Sequence, residues 1–188
     1  MTLSNHFEDF CDEITIDNDE IERWSDRIRK ITKKLNKKYY DSSSDEDNIL
    51  IVGSVGRGTA IHNASDYDCI FGLPSEKFKQ FDGHSGNGQS ALLQEVKKEI
   101  QLSYPSTKVK GDGQVVIISF SDGDIELVPA FRQSEGNFKY PDSNNGGFWK
   151  MTKPLPEIEE AEQMAKLMAK LTEKHYINFC RLMKKNHL

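Results

Sequence analysis

Residues 48–59, NILIVGSVGRGT, decide the fold of this chain. Their first part, 48–52, is a short and almost wholly apolar run of the kind that forms a buried strand. It leads directly into a turn that begins with Gly53 and Ser54. Backbone amides and a hydroxyl group at the end of a strand can hold phosphate oxygens. The segment therefore predicts a phosphate-binding turn at Gly53 and Ser54.

Two acidic residues, Asp66 and Asp68, follow after the interval 55–65 in a second apolar stretch. Side chains two positions apart leave the same face of a strand, so a strand here would direct both carboxylates to one side. Neighbouring carboxylates repel each other unless a cation lies between them. The spacing therefore favours a cation-binding site.

A third acidic segment lies near the middle of the chain. The dipeptide Asp122-Gly123 predicts a hairpin turn between strands at 114–120 and 124–131. The returning strand would carry Asp124 and Glu126 on one face. Three or four carboxylates would then converge from two strands.

Oxygen ligands of this kind suit Mg²⁺ or Mn²⁺. A pair of such ions can activate an attacking hydroxyl group and neutralise a leaving pyrophosphate, which is the chemistry of nucleotidyl transfer. The expected catalytic and metal-binding residues are Asp66, Asp68 and Glu126. Asp124 follows the turn so closely that a solvated turn residue is its simpler interpretation.

This combination of motifs resembles the polymerase-β-like nucleotidyltransferase superfamily. More narrowly, it resembles the bacterial cGAS/DncV-like nucleotidyltransferases and the oligoadenylate synthetases. The resemblance is carried by Gly53-Ser54 with the RGTAI segment 57–61, by the SDYD segment 65–68, and by the LVPAF segment 127–131. It extends over residues 51–154, which is most of the chain.

The resemblance implies an α/β (α+β) fold in which a mixed, strongly twisted sheet is packed on one side by a long N-terminal helix and C-terminal helices. Residues 1–154 would form the nucleotidyltransferase core, and 155–188 would begin a helical region that is longer in complete members. The implied reaction joins nucleoside triphosphates with release of pyrophosphate. Its product would be a cyclic or short linear oligonucleotide, a second messenger of the kind used in antiviral defence.

The resemblance also implies roles for individual residues. The nucleotide-binding residues that it implies are Gly53, Ser54, Arg57, Thr59 and Lys184. Glu126 would bind the metal near the acceptor hydroxyl group, at a position where the family usually has Asp. For Lys184, a cation that complements the dipole at a helix C-terminus is an equally good interpretation.

The composition of the chain limits which kinds of molecule it is expected to bind. With 188 residues and 36% hydrophobic residues, the chain can form one domain with a real core. A net charge of −5 argues against a dedicated binder of long nucleic acid. Basic residues concentrate at 23–38 on a predicted amphipathic helix, which Asp17 and Glu20 would cap. The expected substrates are ATP, GTP or other nucleoside triphosphates, and a regulatory protein partner stays open.

No apolar run approaches the length of a membrane span, and residues 1–12 lack the apolar core of a secretory signal. We therefore expect a cytoplasmic location and no membrane partner. Three cysteines without Cys-x-x-Cys spacing indicate neither a disulfide framework nor a zinc site among themselves. The Gly- and Asn-rich stretch 134–147 is expected to be a mobile loop beside the active site.

Three alternative functions remain compatible with the sequence. A minimal nucleotidyltransferase could transfer AMP to a protein, and the short length of the chain favours this. A nucleotide sensor could have lost catalysis through the change at Glu126. A folded fragment could bind nucleotides without turning them over.

Overall fold

The structure is a computed structural model that describes residues 3–62 and 66–185. Side chains are described up to residue 170, except those at 3–5, 7 and 8. The helices in this part of the chain are α1 (Leu3–Ile14), α2 (Asn18–Tyr40), α3 (Gly53–Gly56), α4 (Ser75–Asp82), α5 (Gly88–Ser103) and α6 (Pro154–Lys185). The strands are β1 (Ile49–Ile51), β2 (Asp66–Gly72), β3 (Lys108–Asp112), β4 (Val115–Phe120), β5 (Gly123–Arg132), β6 (Phe138–Asp142) and β7 (Phe148–Thr152).

The strands form one mixed sheet in the order β1-β2-β5-β4-β3, and β6 and β7 extend it from the far end of β5. Among the described residues, β2 and β5 are the one parallel pair, and the other pairs are antiparallel. β2 and β5 lie side by side in the sheet although residues 73–122 separate them in sequence. The expected α/β architecture with a mixed sheet is confirmed.

Helix α2 covers one face of the sheet because its apolar side chains recur at helical spacing. Trp24, Ile31 and Leu35 are fully buried, and the Trp24 ring stacks on Tyr67 of β2 at 4.1 Å between ring centroids. The expected cap is present: the carboxylate of Asp17 accepts a hydrogen bond from the backbone amide of Glu20. The long N-terminal helix is therefore packed as the sequence predicts.

The second helix on this face is α5, whereas the sequence predicts C-terminal helices there. Leu92, Leu93 and Val96 of α5 are completely buried in the same core as α2. Met164 and Met168 of helix α6 are more than half exposed. The face of α6 that carries them therefore does not pack against the sheet. The expectation that C-terminal helices cover the sheet is wrong for these residues.

The stretch 134–147 also differs from the mobile loop that the sequence predicts. It contains strand β6, whose Phe138 and Asp142 are buried. The Asp142 carboxylate binds Lys150 at 2.7 Å and accepts hydrogen bonds from Asn144 and Gln114. These bonds join the tip of the β6–β7 hairpin to β7 and to the start of β4, so a mobile loop is not what the structure shows.

Candidate active site

The predicted phosphate-binding turn lies where β1 ends and α3 begins. Gly53 adopts a φ of +64°, and a Cβ atom placed on it would lie 1.9 Å from Oδ2 of Asp68. No side chain fits there, so glycine is required both by the backbone conformation and by the contact with Asp68. The turn is fixed to the next strand, because the Val52 amide donates to the Asp68 carbonyl oxygen.

Helix α3 is a single turn, so its first backbone amides have no partner within the turn. The Ser54 carbonyl oxygen accepts hydrogen bonds from both the amide and the hydroxyl group of Thr59. Thr59 is exposed, and these bonds close the turn on itself. The structure therefore gives Thr59 a turn-closing contact, next to the Ser54 that was expected to bind phosphate.

The acidic residues meet on one face of the sheet. In the parallel pair of β2 and β5, Asp66 lies opposite Asp124 and Asp68 lies opposite Glu126. The intervening residues, Tyr67 and Ile125 among them, point the other way and are buried in the core. All four carboxylates consequently leave the face opposite to α2 and α5.

The four positions differ in their surroundings. Asp66 is exposed, whereas Asp68, Asp124 and Glu126 are partly buried. Burial and then the charge of Asp66 raise the pKa of Asp68, and Arg57 opposes this effect. Burial also raises the pKa of Glu126, and the charges of Asp68, Asp66 and Asp124 add to it. The negative charges are therefore crowded, and a bound cation would relieve the repulsion.

Arg57 contributes the positive charge of the turn. It follows α3 and lies 3.9 Å from the Glu157 carboxylate near the start of α6. Such a long and solvent-exposed ion pair contributes little to stability, so Arg57 can exchange it for another anion.

These elements enclose a cavity of about 310 Å³. Its polar wall contains Gly53, Arg57 and Asp68, and its apolar wall contains Val128 and Tyr140. Cavities of this size and mixed lining are typical of sites for small molecules. Val128 and Tyr140 were not singled out from the sequence, although Val128 follows Glu126 at the two-residue spacing that places it on the same face of β5.

One predicted contributor cannot be placed at this site. The side chain of Lys184 lies outside the residues whose side chains are described. Trp149, beside the expected loop, packs against Phe78 and Phe131 and donates a hydrogen bond to Asp82. It is therefore a packing residue.

The glycine turn faces carboxylates on the adjacent strands β2 and β5, which is the arrangement expected of a polymerase-β-like fold. Residues 1–164 match the Second Messenger Oligonucleotide or Dinucleotide Synthetase domain, and the chain belongs to this family. No curated protein sequence matches it.

Several solved structures share the fold. CdnC of E. coli MS115-1, solved with ATP, has a TM-score of 0.53 and is 17% identical over 81% of this chain and 48% of its own. The same protein in a complex with HORMA-deltaN has a TM-score of 0.52 at 17% identity, over 81% of this chain and 47% of its own.

The CdnE c-UMP-AMP synthase of Rhodothermus marinus, solved with Apcpp and Upnpp, has a TM-score of 0.50 and is 15% identical. The match covers 81% of this chain and 61% of that protein. The chain thus spans about half the length of CdnC and less than two thirds of CdnE. No helix of the described residues is long and apolar enough to cross a membrane.

Proposed function

We propose that this chain carries the catalytic core of a metal-dependent nucleotidyltransferase, which joins nucleoside triphosphates into a cyclic or short linear oligonucleotide and releases pyrophosphate. The observation that carries the proposal is the register of the parallel strands, which sets Asp68 beside Glu126 while Gly53 of the phosphate-binding turn touches Asp68. Membership in a family of second-messenger synthetases supports the reaction class.

The donor nucleotide would bind by its triphosphate at the α3 turn. The amides of Gly53 and Ser54 and the hydroxyl group of Ser54 would hold the phosphate oxygens, and Arg57 would leave Glu157 to contact them. The base would lie against Val128 and Tyr140 on the apolar side of the cavity. These contacts would place the α-phosphate near Asp68.

The carboxylate set fits divalent cations, because its ligand atoms are all oxygens and its charges are crowded enough to raise the pKa of Asp68 and Glu126. Asp66, Asp68 and Glu126 would hold two Mg²⁺ or Mn²⁺ ions. Bound there, these ions would neutralise the triphosphate and the departing pyrophosphate.

The acceptor hydroxyl group would be deprotonated beside Glu126. Glu126 lies beside Asp68 in the strand register, so it could bind the metal near this hydroxyl group and accept the proton. The hydroxyl oxygen forms a bond to the α-phosphorus of the donor, the bond between that phosphorus and the pyrophosphate oxygen breaks, and Glu126 takes the hydroxyl proton. The site would thereby form one phosphodiester bond per turnover.

The proposal for binding partners names only classes of molecule. The similar structures are described with ATP and with nucleotide analogues, and one is a complex with a HORMA protein. We propose nucleoside triphosphates as substrates and a protein as regulator.

The experiment is to incubate the protein with each of the four α-³²P-labelled ribonucleoside triphosphates and Mg²⁺ or Mn²⁺, and then to resolve products by chromatography. A phosphatase-resistant labelled oligonucleotide with stoichiometric pyrophosphate is the expected result. Label that stays on the protein through denaturation would favour AMP transfer to a protein instead. Nucleotide binding without either product would favour a sensor or a fragment.

A further inference from the structure

A second group of metal-ligating side chains lies outside the proposed catalytic site. It consists of Asp17 and Glu20 at the start of α2 and of His62, in the segment between the phosphate-binding turn and β2. One ligand atom from each residue lies within 4.8 Å of the others. Tyr67 contacts this group from the core face of β2, opposite to the face that carries Asp66 and Asp68.

In each carboxylate of the group, one oxygen accepts a hydrogen bond and the other oxygen faces His62. Oδ1 of Asp17 accepts the hydrogen bond that caps α2, and Oδ2 lies 3.9 Å from Nδ1 of His62. Oε1 of Glu20 accepts a hydrogen bond from the Tyr67 hydroxyl group at 2.9 Å, and Oε2 lies 2.9 Å from Nδ1 of His62. The oxygens that face His62 are therefore positioned by the fold.

The surroundings of His62 are the second observation. Its Nδ1 atom is buried, and despite the short distance to Glu20 it makes no hydrogen bond of acceptable geometry with any described residue. A buried nitrogen without such a bond is unfavourable, and a metal ion would supply the missing partner. Glu20 itself is 3% exposed, so its carboxylate lies beside the buried Nδ1 atom of His62 and away from solvent.

From this geometry we propose a zinc-binding site formed by Asp17, Glu20 and His62. Ligand atoms at about 2.0–2.2 Å from a shared zinc ion lie roughly 3–3.6 Å apart, so small side-chain adjustments bring these three to binding distance. The exposed side of Asp17 leaves room for water as a fourth ligand. The hydroxyl group of Tyr67 bonds the other oxygen of Glu20 and so orients the ligating carboxylate, as the outer partners of metal ligands do.

The ligand atoms of Asp17, Glu20 and His62 disfavour the Mg²⁺ or Mn²⁺ ions that are proposed for the catalytic site. An imidazole nitrogen suits Zn²⁺ and related transition metals, whereas Mg²⁺ prefers oxygen and water ligands. The two carboxylates supply two negative charges, which exceed the partial positive charge of about one half at the helix N-terminus. The two sites would therefore hold different metals.

Such a site would connect α2 to the segment that leads into the acidic strand. The His62 amide already donates to the Ile14 carbonyl oxygen at the end of α1. Asp66 follows His62 by only four positions in sequence. Bound zinc would thus hold the start of β2 against the N-terminal helices, as a structural and not a catalytic ion.

The test uses untagged protein freed of metal by a chelator, in the Asp66→Asn/Asp68→Asn background that removes two catalytic-site ligands. Titration with zinc chloride by calorimetry should show one site per chain, and millimolar Mg²⁺ should not displace the zinc. His62→Asn should weaken zinc binding by on the order of a hundredfold, and Tyr67→Phe by about tenfold. The matched control is His84→Asn at an exposed histidine, which should leave zinc binding unchanged.

Thermal unfolding with and without zinc distinguishes a zinc site from a simple ion pair between His62 and the two carboxylates. Zinc should raise the unfolding temperature of the background protein and of the His84→Asn variant, but not that of His62→Asn. The proposal is overturned if the background protein binds no zinc, or if His62→Asn binds it equally well. It is also overturned if His62→Asn lowers the unfolding temperature while the response to zinc persists.

Discussion

At the scale of single residues, the contact between Gly53 and Asp68 couples the phosphate-binding turn to the acidic strand. The contact leaves no room for a Cβ atom at Gly53. A substitution there would act on Asp68, on the turn and on the backbone at once. The site is therefore sensitive to a single methyl group.

We expect Gly53→Ala to abolish nucleotide turnover and to destabilise the fold. The left-handed backbone costs an alanine about 1–2 kcal/mol, and the collision with Asp68 adds about 1–3 kcal/mol. Gly58→Ala is the matched control, because Gly58 has a φ of +67° but nothing within 4 Å of its Cβ position. Urea unfolding of both variants should show the larger loss for Gly53→Ala, and equal losses would contradict the proposed contact.

Glu126 and Asp124 can be separated by conservative changes. Glu126→Gln should lower the rate of nucleotide turnover by about a hundredfold, since it removes a metal ligand and the proton acceptor. Asp124→Asn should have a much smaller effect, because Asp124 lies at the turn end of β5, two residues before Glu126. Glu126→Asp, which restores the residue usual in the family, should retain or raise the rate. If Asp124→Asn abolishes activity and Glu126→Gln does not, Asp124 is the third ligand.

At the scale of elements, the basic side of α2 is used in part to fix the sheet. Arg27 lies over the rings of Trp24 and Phe120 at 4.4 and 4.2 Å and binds Asp122 in the β4–β5 turn at 2.8 Å. The turn residue Asp122 is therefore a contact point for the helix. This contact helps to hold the hairpin that carries Glu126.

We expect Arg27→Ala to lower the free energy of unfolding by about 1–2 kcal/mol through lost stacking and packing. Arg29→Ala serves as the control: its 3.7 Å pair with Glu46 is exposed, and its loss should change stability by less than about 0.5 kcal/mol. Chemical denaturation of the two variants measures the difference. Equal effects would show that the stacking of Arg27 contributes nothing.

The β6–β7 hairpin should respond to acid. The hydrogen bond from Lys150, followed by that from the Asn144 amide, lowers the pKa of Asp142 to about 2. An unfolded Asp titrates near 3.9, so Asp142 stabilises the fold above about pH 4 and loses this contribution as the pH falls towards 2. Asp142→Asn should be less stable than the parent at pH 7, with the gap closing between about pH 4 and 2. Urea unfolding across this range tests it, with Glu135→Gln as the exposed control.

Local sequence patterns predict the individual strands better than their pairing. The two-residue spacing of Asp66 and Asp68, and of Asp124 and Glu126, predicts which face each carboxylate occupies. It cannot predict that β2 and β5 are adjacent and parallel, because that pairing joins segments far apart in sequence. Strand β6 is missed for a related reason: its flanks are rich in Gly and Asn, and the bonds of Asp142 that order them are tertiary.

At the scale of the whole molecule, the two faces of the sheet have different roles. One face carries the core with α2 and α5, and the opposite face carries the four acidic residues and the cavity. Changes on the acidic face should therefore affect catalysis without loosening the core. Because like charges crowd there, removing some of them should even stabilise the protein when no divalent ion is present.

The most direct test of the proposed function is turnover by the Asp66→Asn/Asp68→Asn double variant, measured as pyrophosphate release together with labelled oligonucleotide product. A suitable control is Asp12→Asn/Asp26→Asn, which neutralises two exposed carboxylates on α1 and α2. The proposed site predicts product from the parent and the control, and none from the Asp66/Asp68 variant, which should unfold at an equal or higher temperature. Product formation at the parental rate by that folded variant would contradict the assignment of these carboxylates to catalysis.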